Sequence, residues 1–176
     1  MYSDQLYTFP CFLGLLTIHD SISSEPKQIT LKMVEQIKHK NEILALIIRN
    51  SFKKDGIEFF TPNDYALQVG YMNRPKEYSI EPHIHYQIPR TVNILQEVLF
   101  IKTGRIRVDF YDDNKKYLFS NILSKGDFII LISSGHGFFM LEESEIIEVK
   151  QGPYMEDQDK EKFDPISDDK IIFLRE

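Results

Sequence analysis

The chain has 176 residues, a single cysteine and no tryptophan. A disulfide needs two thiols, so Cys11 cannot form a bridge within the chain, and we expect a reducing, cytoplasmic compartment. Long apolar runs are also missing. The best candidate, residues 9–18, contains Pro10 and Gly14 and is shorter than the roughly 20 residues that a membrane-spanning helix needs. A signal peptide is disfavoured because Asp4 stands where basic residues belong. We therefore expect no membrane partner.

Basic residues are outnumbered by acidic ones. The chain carries 21 Lys and Arg against 27 Asp and Glu, a formal net charge of −6. A broad basic face of the kind that binds nucleic acid is therefore not expected. Apolar residues make up 42% of the chain, which is too many for an intrinsically disordered protein. These figures favour a folded domain without a broad nucleic-acid-binding face.

The sequence divides into three parts. Residues 1–32 are polar and rich in turn residues, and we interpret them as an N-terminal extension that is not part of the core. From Met33 to about residue 155, eight to ten short strand-like runs follow one another at 8–12 residue spacing, which is typical of an all-β sandwich or barrel. The stretch MVEQIKHKN (33–41) is a candidate for one or two helical turns. Residues 156–176 form an acidic tail that we expect to be mobile, with an edge strand or a partner contact at IIFL (171–174).

The stretch RIRVDFYD (105–112) shows the alternation of a strand with one buried face. The apolar side chains predicted to face the core are Ile106, Val108 and Phe110. The charged side chains predicted to face water are Arg105, Arg107 and Asp109.

Histidines and acidic residues cluster in two blocks. The first block, EPHIHYQIPRTVNILQEVLFIKTG (81–104), contains His83 and His85 and then Glu97, and the second, GDFIILISSGHGFF (126–139), contains His136. On a strand, residues i and i+2 point the same way, so His83 and His85 could converge on one point. Three imidazoles and one carboxylate suit a divalent transition metal. Gln96 is the alternative to Glu97, because a one-residue slip exchanges the two faces of a strand.

These blocks resemble the two motifs of the cupin superfamily, G-x5-HxH-x3,4-E-x6-G and G-x5-PxG-x2-H-x3-N. His83 and His85 match the HxH, Glu97 and Gly104 match E-x6-G, and His136 matches the histidine of the second motif. The sequence departs from the pattern in having eleven residues between His85 and Glu97, where three or four are usual.

The resemblance implies a fold and a metal centre. It implies a jelly-roll barrel (a double-stranded β-helix) over 33–155, with one Fe, Mn, Ni or Zn ion held by His83, His85, Glu97 and His136. It also implies a homodimer. The stretches QEVLFIKTGRIRVDFYDD, GHGF and EVKQGPY resemble bacterial cupins associated with genes for surface-polysaccharide or nucleotide-sugar synthesis.

The function expected on this basis is a metal-dependent isomerase or epimerase acting on a sugar or nucleotide-sugar. Glu97 or Tyr71 would be the base. Candidate substrate contacts lie near the expected site: Arg90, Gln68, Tyr86 and Phe138. Three alternatives remain open: an Fe(II)-dependent dioxygenase, a metal-free epimerase with a histidine base, and a non-catalytic ligand-binding protein. Glu148 and Lys150 share one strand face, where they either pair at an edge or orient a ligand histidine.

Overall fold

The computed structural model describes residues 33–155 and 159–174. The expected extension of residues 1–32, with Cys11, lies outside the described residues. The described part contains ten strands and one 3-10 turn, Asp168–Lys170, and no other helix. The all-β class with eight to ten short strands is confirmed. The strands are β1 Val34–His39, β2 Glu42–Ile48, β3 Gly56–Phe59, β4 Gly70–Asn73, β5 Glu97–Thr103, β6 Arg105–Tyr111, β7 Tyr117–Ser124, β8 Phe128–Leu131, β9 Gly135–Met140 and β10 Glu145–Lys150.

The strands form three antiparallel sheets, and none of them closes on itself. The largest sheet has the strand order β1-β2-β8-β5-β10, the second has the order β7-β6-β9, and β3 and β4 pair as a hairpin. Tight turns join several neighbours. Gly104 connects β5 to β6 with a φ of 81°, which a glycine adopts without the steric penalty of a side chain. No helix of the described residues is long and apolar enough to span a membrane.

The main hydrophobic core lies between the five-stranded and three-stranded sheets. Its buried side chains come from strands of both: Ile37, Leu44, Ala45, Ile47, Leu99, Ile101, Ile106, Val108, Phe110, Leu123, Ile129 and Leu131. We call the sheet faces that meet at this core the inner faces. Leu46 and Ile48 point to the opposite, outer face, where Phe52, Phe60 and neighbouring apolar residues cover them. Because both faces of β2 are covered, its sequence EILALII is a continuous apolar run rather than an alternating one.

Two expectations about secondary structure are wrong. The stretch MVEQIKHKN contains the strand β1 and not a helical turn, because Val34–His39 pairs with the apolar strand β2. His83 and His85 were expected to lie on a strand, but no strand is formed between Asn73 and Glu97. The sequence there alternates as a strand would, but the segment has no pairing partner in the chain as described. The histidines His83 and His85 therefore lie in an exposed, irregular segment.

The C-terminal part, residues 159–174, is here called the strap. It was expected to be mobile, but it packs along the three-stranded sheet. Phe163 meets the ring of Tyr111 edge-on at 5.0 Å between centroids, and the Ile166 backbone N–H donates to the Tyr111 hydroxyl at 3.0 Å. Phe173 forms one parallel bridge with Ser120 of β7. The expected edge strand is thus reduced to a single bridge.

The strap changes the environment of β6. Ile106, Val108 and Phe110 face the core as predicted. Arg107 and Asp109 were expected to face water, but both are buried on the outer face of the three-stranded sheet. The strap covers this face, and its Asp168 reaches Arg107 at 3.1 Å. Alternation identifies which residues share a face, but it does not show whether a distant part of the chain covers that face.

Candidate functional site

A cavity of about 720 Å³ opens at the side of the sandwich where the edge strands β9 and β10 lie. Its walls combine both sheets with the strap: Glu97 of β5, His136 and Phe138 of β9, Lys150 of β10, and Lys160 and Phe163 of the strap are among them. The volume falls in the range of pockets that bind small molecules. The cavity extends around β9 to the outer face, where Arg107 and Asp109 line it.

Glu97 begins β5 and points to the inner face. Side chains two and four residues further along, Leu99 and Ile101, lie in the core, so the period-2 geometry of a strand directs Glu97 to the same side. Its neighbour Gln96, the alternative considered from sequence, has a structural role instead. The Gln96 backbone N–H donates to Gln151 Oε1 at 2.9 Å, and its side-chain oxygen accepts from the Leu67 N–H. The cavity therefore receives Glu97 and not Gln96.

His136 lies on β9 and meets Glu97 across the gap between the two sheets. It is in register with the core residue Phe110, so its ring points inward. His136 Nε2 lies 3.3 Å from Glu97 Oε2. The imidazole also packs against Phe138, with 5.4 Å between the ring centroids. One carboxylate and one imidazole thus face each other inside the cavity.

Lys150 brings a third ionisable group to this point. It ends β10 and stands directly opposite Glu97 in the antiparallel register. Its Nζ lies 3.7 Å from Glu97 Oε1 and 3.0 Å from Glu148 Oε1. The hydrogen bond to Glu148, together with the charges of Glu148 and Glu97, raises the pKa of Lys150. The residues Glu148 and Lys150 do share one strand face, as the sequence indicated, and they pair with each other at the sheet edge.

The same contacts set the charge of Glu97. Its hydrogen-bonding contact with the His136 imidazole lowers the pKa of the Glu97 carboxyl, against the opposing effect of burial, and the charges of His136, Lys150 and Lys160 act in the same direction as the contact. Glu97 is therefore a carboxylate at neutral pH. Because its Oε2 faces His136 Nε2, the carboxylate favours the tautomer that carries its proton on Nε2, which leaves Nδ1 as the basic atom.

The other residues selected from sequence are dispersed. Phe138 lines the cavity as expected. Tyr71 lies on β4, where it packs edge-on against Phe52 and lines a separate cavity of about 160 Å³. Gln68 donates through its side-chain amide to two backbone carbonyls of its own loop. Arg90 and Tyr86 lie in the exposed segment between β4 and β5.

The four predicted metal ligands do not form one coordination set in this arrangement. Glu97 and His136 are together in the cavity. His83 and His85 are together in the exposed segment, with 5.0 Å between their ring centroids, and His83 Nδ1 lies 2.9 Å from the Glu81 carbonyl oxygen. Among the residues that the structure describes, no group of three or more His, Cys, Asp or Glu side chains is placed to hold a metal ion.

Sequence reasoning missed the contribution of the strap to the cavity. Tyr154, which precedes the strap, also lines the cavity, and Lys150 Nζ and Lys160 Nζ lie 5.0 and 5.8 Å from its ring centroid. Such cation–ring contacts are favourable when partly shielded from water. The stretch EVKQGPY includes Tyr154, but no sequence pattern predicts that Tyr154 and Lys160 line the cavity, because their position depends on the path of the chain after β10.

Comparisons with protein-family models, with curated proteins and with solved structures give no match. The geometry of the cavity therefore carries the functional argument.

Proposed function

We propose that this chain is a small-molecule enzyme of the isomerase or epimerase type, acting on a sugar or nucleotide-sugar in the cavity between the sheets. The observation that carries the proposal is the pairing of His136 with Glu97 at 3.3 Å, inside a cavity large enough for a sugar and with the Lys150 ammonium beside it. A base that is oriented by a carboxylate, next to a fixed positive charge, is suited to moving a proton beside a carbonyl group.

We propose a fold of the jelly-roll type for the same chain. Two antiparallel sheets enclosing one core, short strands and a cavity at the open side of the sandwich support this assignment, as does the resemblance of the segments with His83, His85, Glu97 and His136 to the cupin motifs. Fold alone does not determine function, so the reaction is argued from the site.

In the proposed reaction, His136 Nδ1 removes a proton from the carbon next to the carbonyl of a keto or aldo sugar. Glu97 stabilises the imidazolium that forms and remains ionised, because its pKa is lowered. Lys150 Nζ stabilises the negative charge on the enediolate oxygen. The proton on His136 exchanges with water, and His136 then delivers a proton to the former carbonyl carbon, while Lys150 gives a proton to the oxygen of that carbon and takes one from the neighbouring hydroxyl, which isomerises the sugar. In an epimerisation, water instead protonates the opposite face of the original carbon, and His136 returns its proton to the hydroxide that is left. Lys150, Lys160 and Lys162 line the cavity and suit the diphosphate of a nucleotide-sugar.

Solvent isotope exchange tests this function. The untagged full chain is incubated in D2O with a panel of keto sugars and nucleotide-linked keto sugars, and deuterium uptake is read by mass spectrometry. Wild type should add one deuterium to one member of the panel, and His136→Asn should abolish the uptake while retaining ligand binding. Glu97→Gln should slow it by about 10²–10³-fold, since positioned acid–base groups contribute on that order. His39→Ala, on β1, is the control. A panel without binding or exchange overturns the proposal.

Metal binding is the second candidate, because Glu97 and His136 already stand together and the segment with His83 and His85 directly precedes β5. The eleven residues between His85 and Glu97 could span up to roughly 36 Å when extended, so the chain length permits the two pairs to meet. Elemental analysis of the untagged protein, beside His83→Ala/His136→Ala, decides this. About one Fe, Mn, Ni or Zn ion per chain that is lost in the double variant supports the metal centre. No metal after addition of all four ions excludes it.

A further inference from the structure

Residues 79–88 have the sequence of a β-strand but no strand partner. Polar and apolar side chains alternate through the whole segment. The polar ones are Ser79, Glu81, His83, His85 and Gln87, and the others are Ile80, Pro82, Ile84, Tyr86 and Ile88. Ile84 and Tyr86 are 88% and 87% exposed. A continuous row of exposed apolar side chains on a soluble surface usually marks an interaction site.

The strand β10 offers a free edge with a matching surface. Within the described residues, it pairs with β5 on one side and with no strand on the other. Ile147 and Val149 point to its outer face and are 51% and 53% exposed. This apolar surface continues along the outer face towards the middle of the sheet, because Ile147 is in register with Phe100, and the Phe100 ring stacks on Phe128 at 4.6 Å between centroids. An edge strand of this kind is a template for an added strand.

We propose that residues 79–88 of one copy of this chain add as a further strand to β10 of a second copy, and that the second copy does the same in return. In the part of a single chain that the structure describes, neither element is used, since the segment lies exposed and the outer edge of β10 pairs with no strand. Each copy carries one segment and one edge, so the reciprocal contact forms a closed two-fold dimer in which every segment and every edge has a partner.

The pattern of side chains also fixes which face goes where. If the apolar side chains of the added strand continue the outer surface of Ile147 and Val149, the intervening residues fall on the inner face, as period-2 geometry requires. His83 and His85 of the added strand would then lie on the same side of the sheet as Glu148 and Lys150. The partner copy would thus bring two imidazoles towards the acidic Glu148 and the open side of the cavity. This consequence, unlike the docking itself, rests on the proposed function of the cavity.

Sedimentation velocity of the untagged full chain tests the docking. The wild type should dissociate reversibly from a dimer of about twice 20.8 kDa per chain. Ile84→Lys, in the segment, and Val149→Glu, on the edge, should each weaken the dimer by at least about tenfold, because each places a charge in an apolar contact. Ile57→Lys is the matched control, since Ile57 is also exposed but lies on β3. A wild type that is monomeric up to about 100 µM overturns the proposal, as do Ile84→Lys and Val149→Glu variants that associate like the wild type.

Mixing the two variants distinguishes reciprocal strand addition from any other dimer. Ile84→Lys keeps an intact edge and Val149→Glu keeps an intact segment, so a mixed dimer contains one fully wild-type contact, whereas neither variant alone contains any. The mixture should therefore associate more tightly than either variant by itself. If the mixture associates no more tightly than either variant by itself, the segment does not dock on β10 of a partner. His136→Asn should leave the dimer unchanged, so failure of the proposed reaction and failure of the docking give different results.

Discussion

Removal of the Asp109 carboxylate should destabilise the protein strongly, because it leaves the buried Arg107 guanidinium without its main partner. Arg107 Nε donates to Asp109 Oδ1 at 2.8 Å and Nη2 donates to Oδ2 at 3.1 Å, a two-pronged ion pair on the outer face of β6. Ser120 Oγ also donates to Asp109 Oδ1 and in turn meets the Tyr117 hydroxyl at 2.7 Å. An Asp109→Ala substitution disrupts the whole network.

The expected magnitude follows from the burial of the pair. Breaking a buried ion pair by removing one partner costs about 3–5 kcal/mol, since the remaining charge stays desolvated. Here Arg107 keeps Asp168 of the strap at 3.1 Å, but the Asp168 side chain is 77% exposed and compensates only in part. We therefore expect a loss of about 3 kcal/mol for Asp109→Ala. The double variant Arg107→Met/Asp109→Leu should lose less, because it removes both charges and keeps the volume.

Urea unfolding of the full chain, followed by far-ultraviolet circular dichroism or tyrosine fluorescence, measures these differences. With a slope of about 2 kcal/mol per molar urea, the midpoint of Asp109→Ala should fall by about 1.5 M. Asp168→Ala is the control, because it removes an exposed partner and should cost less than about 1 kcal/mol. A loss below about 1 kcal/mol for Asp109→Ala, or a double variant less stable than the single one, would refute the account of a desolvated charge.

Three further predictions address the site, a turn and the strap. The pKa of Glu97 is lowered in the folded state. The ionised Glu97 carboxylate therefore stabilises the fold fully above the ordinary glutamate pKa of about 4.3, and this stabilisation is lost as the pH falls through the pKa of the folded state. The urea midpoints of wild type and Glu97→Gln, measured between pH 3 and 7, should converge in acid. Gly104→Ala should lower the unfolding free energy by at least about 1–3 kcal/mol, because φ is 81° and an added Cβ would collide with the Glu143 carbonyl oxygen in the turn before β10. Gly137→Ala is the control and should be close to neutral in the same thermal or urea unfolding, because an added Cβ there would lie at an ordinary 3.8 Å from the Tyr111 ring. Tyr111→Phe removes the acceptor of the Ile166 N–H and should cost about 1 kcal/mol, with faster proteolysis of the strap as the second readout.

The part of the site that could be predicted from sequence is the part held by strand ladders. Glu97 and His136 were both selected from motif spacing, and the structure brings them to 3.3 Å. Their positions are predictable because the alternation of each strand fixes the inward face, and the turn at Gly104 fixes where β5 ends. Local rules therefore suffice for residues whose neighbours in sequence are already in the core.

The failures concern partners that local rules do not identify. Residues 79–88 alternate like a strand, but a strand also needs an edge to pair with, and the described chain supplies none to this segment. Arg107 and Asp109 alternate like a wetted face, but the strap, about 50 to 65 residues further along, covers them. For β6 the pattern predicts the two faces correctly and leaves open what lies against the outer one, whereas for residues 79–88 the strand itself does not form.

The strap links the buried ion pair to the cavity. Its Asp168 is bound by Arg107 on the outer face, while its Lys160 reaches the Tyr154 ring at 5.8 Å and acts on the charge of Glu97. Buried ion pairs contribute little net stability compared with apolar replacements, and their best-attested role is to specify one arrangement. We infer that the Arg107–Asp109 pair fixes the register of the strap and thereby the position of Lys160. The Arg107→Met/Asp109→Leu variant should then bind anions in the cavity more weakly, even if the unfolding free energy of the variant stays near that of the wild type. Unchanged affinity for a nucleoside diphosphate would contradict this role of the ion pair.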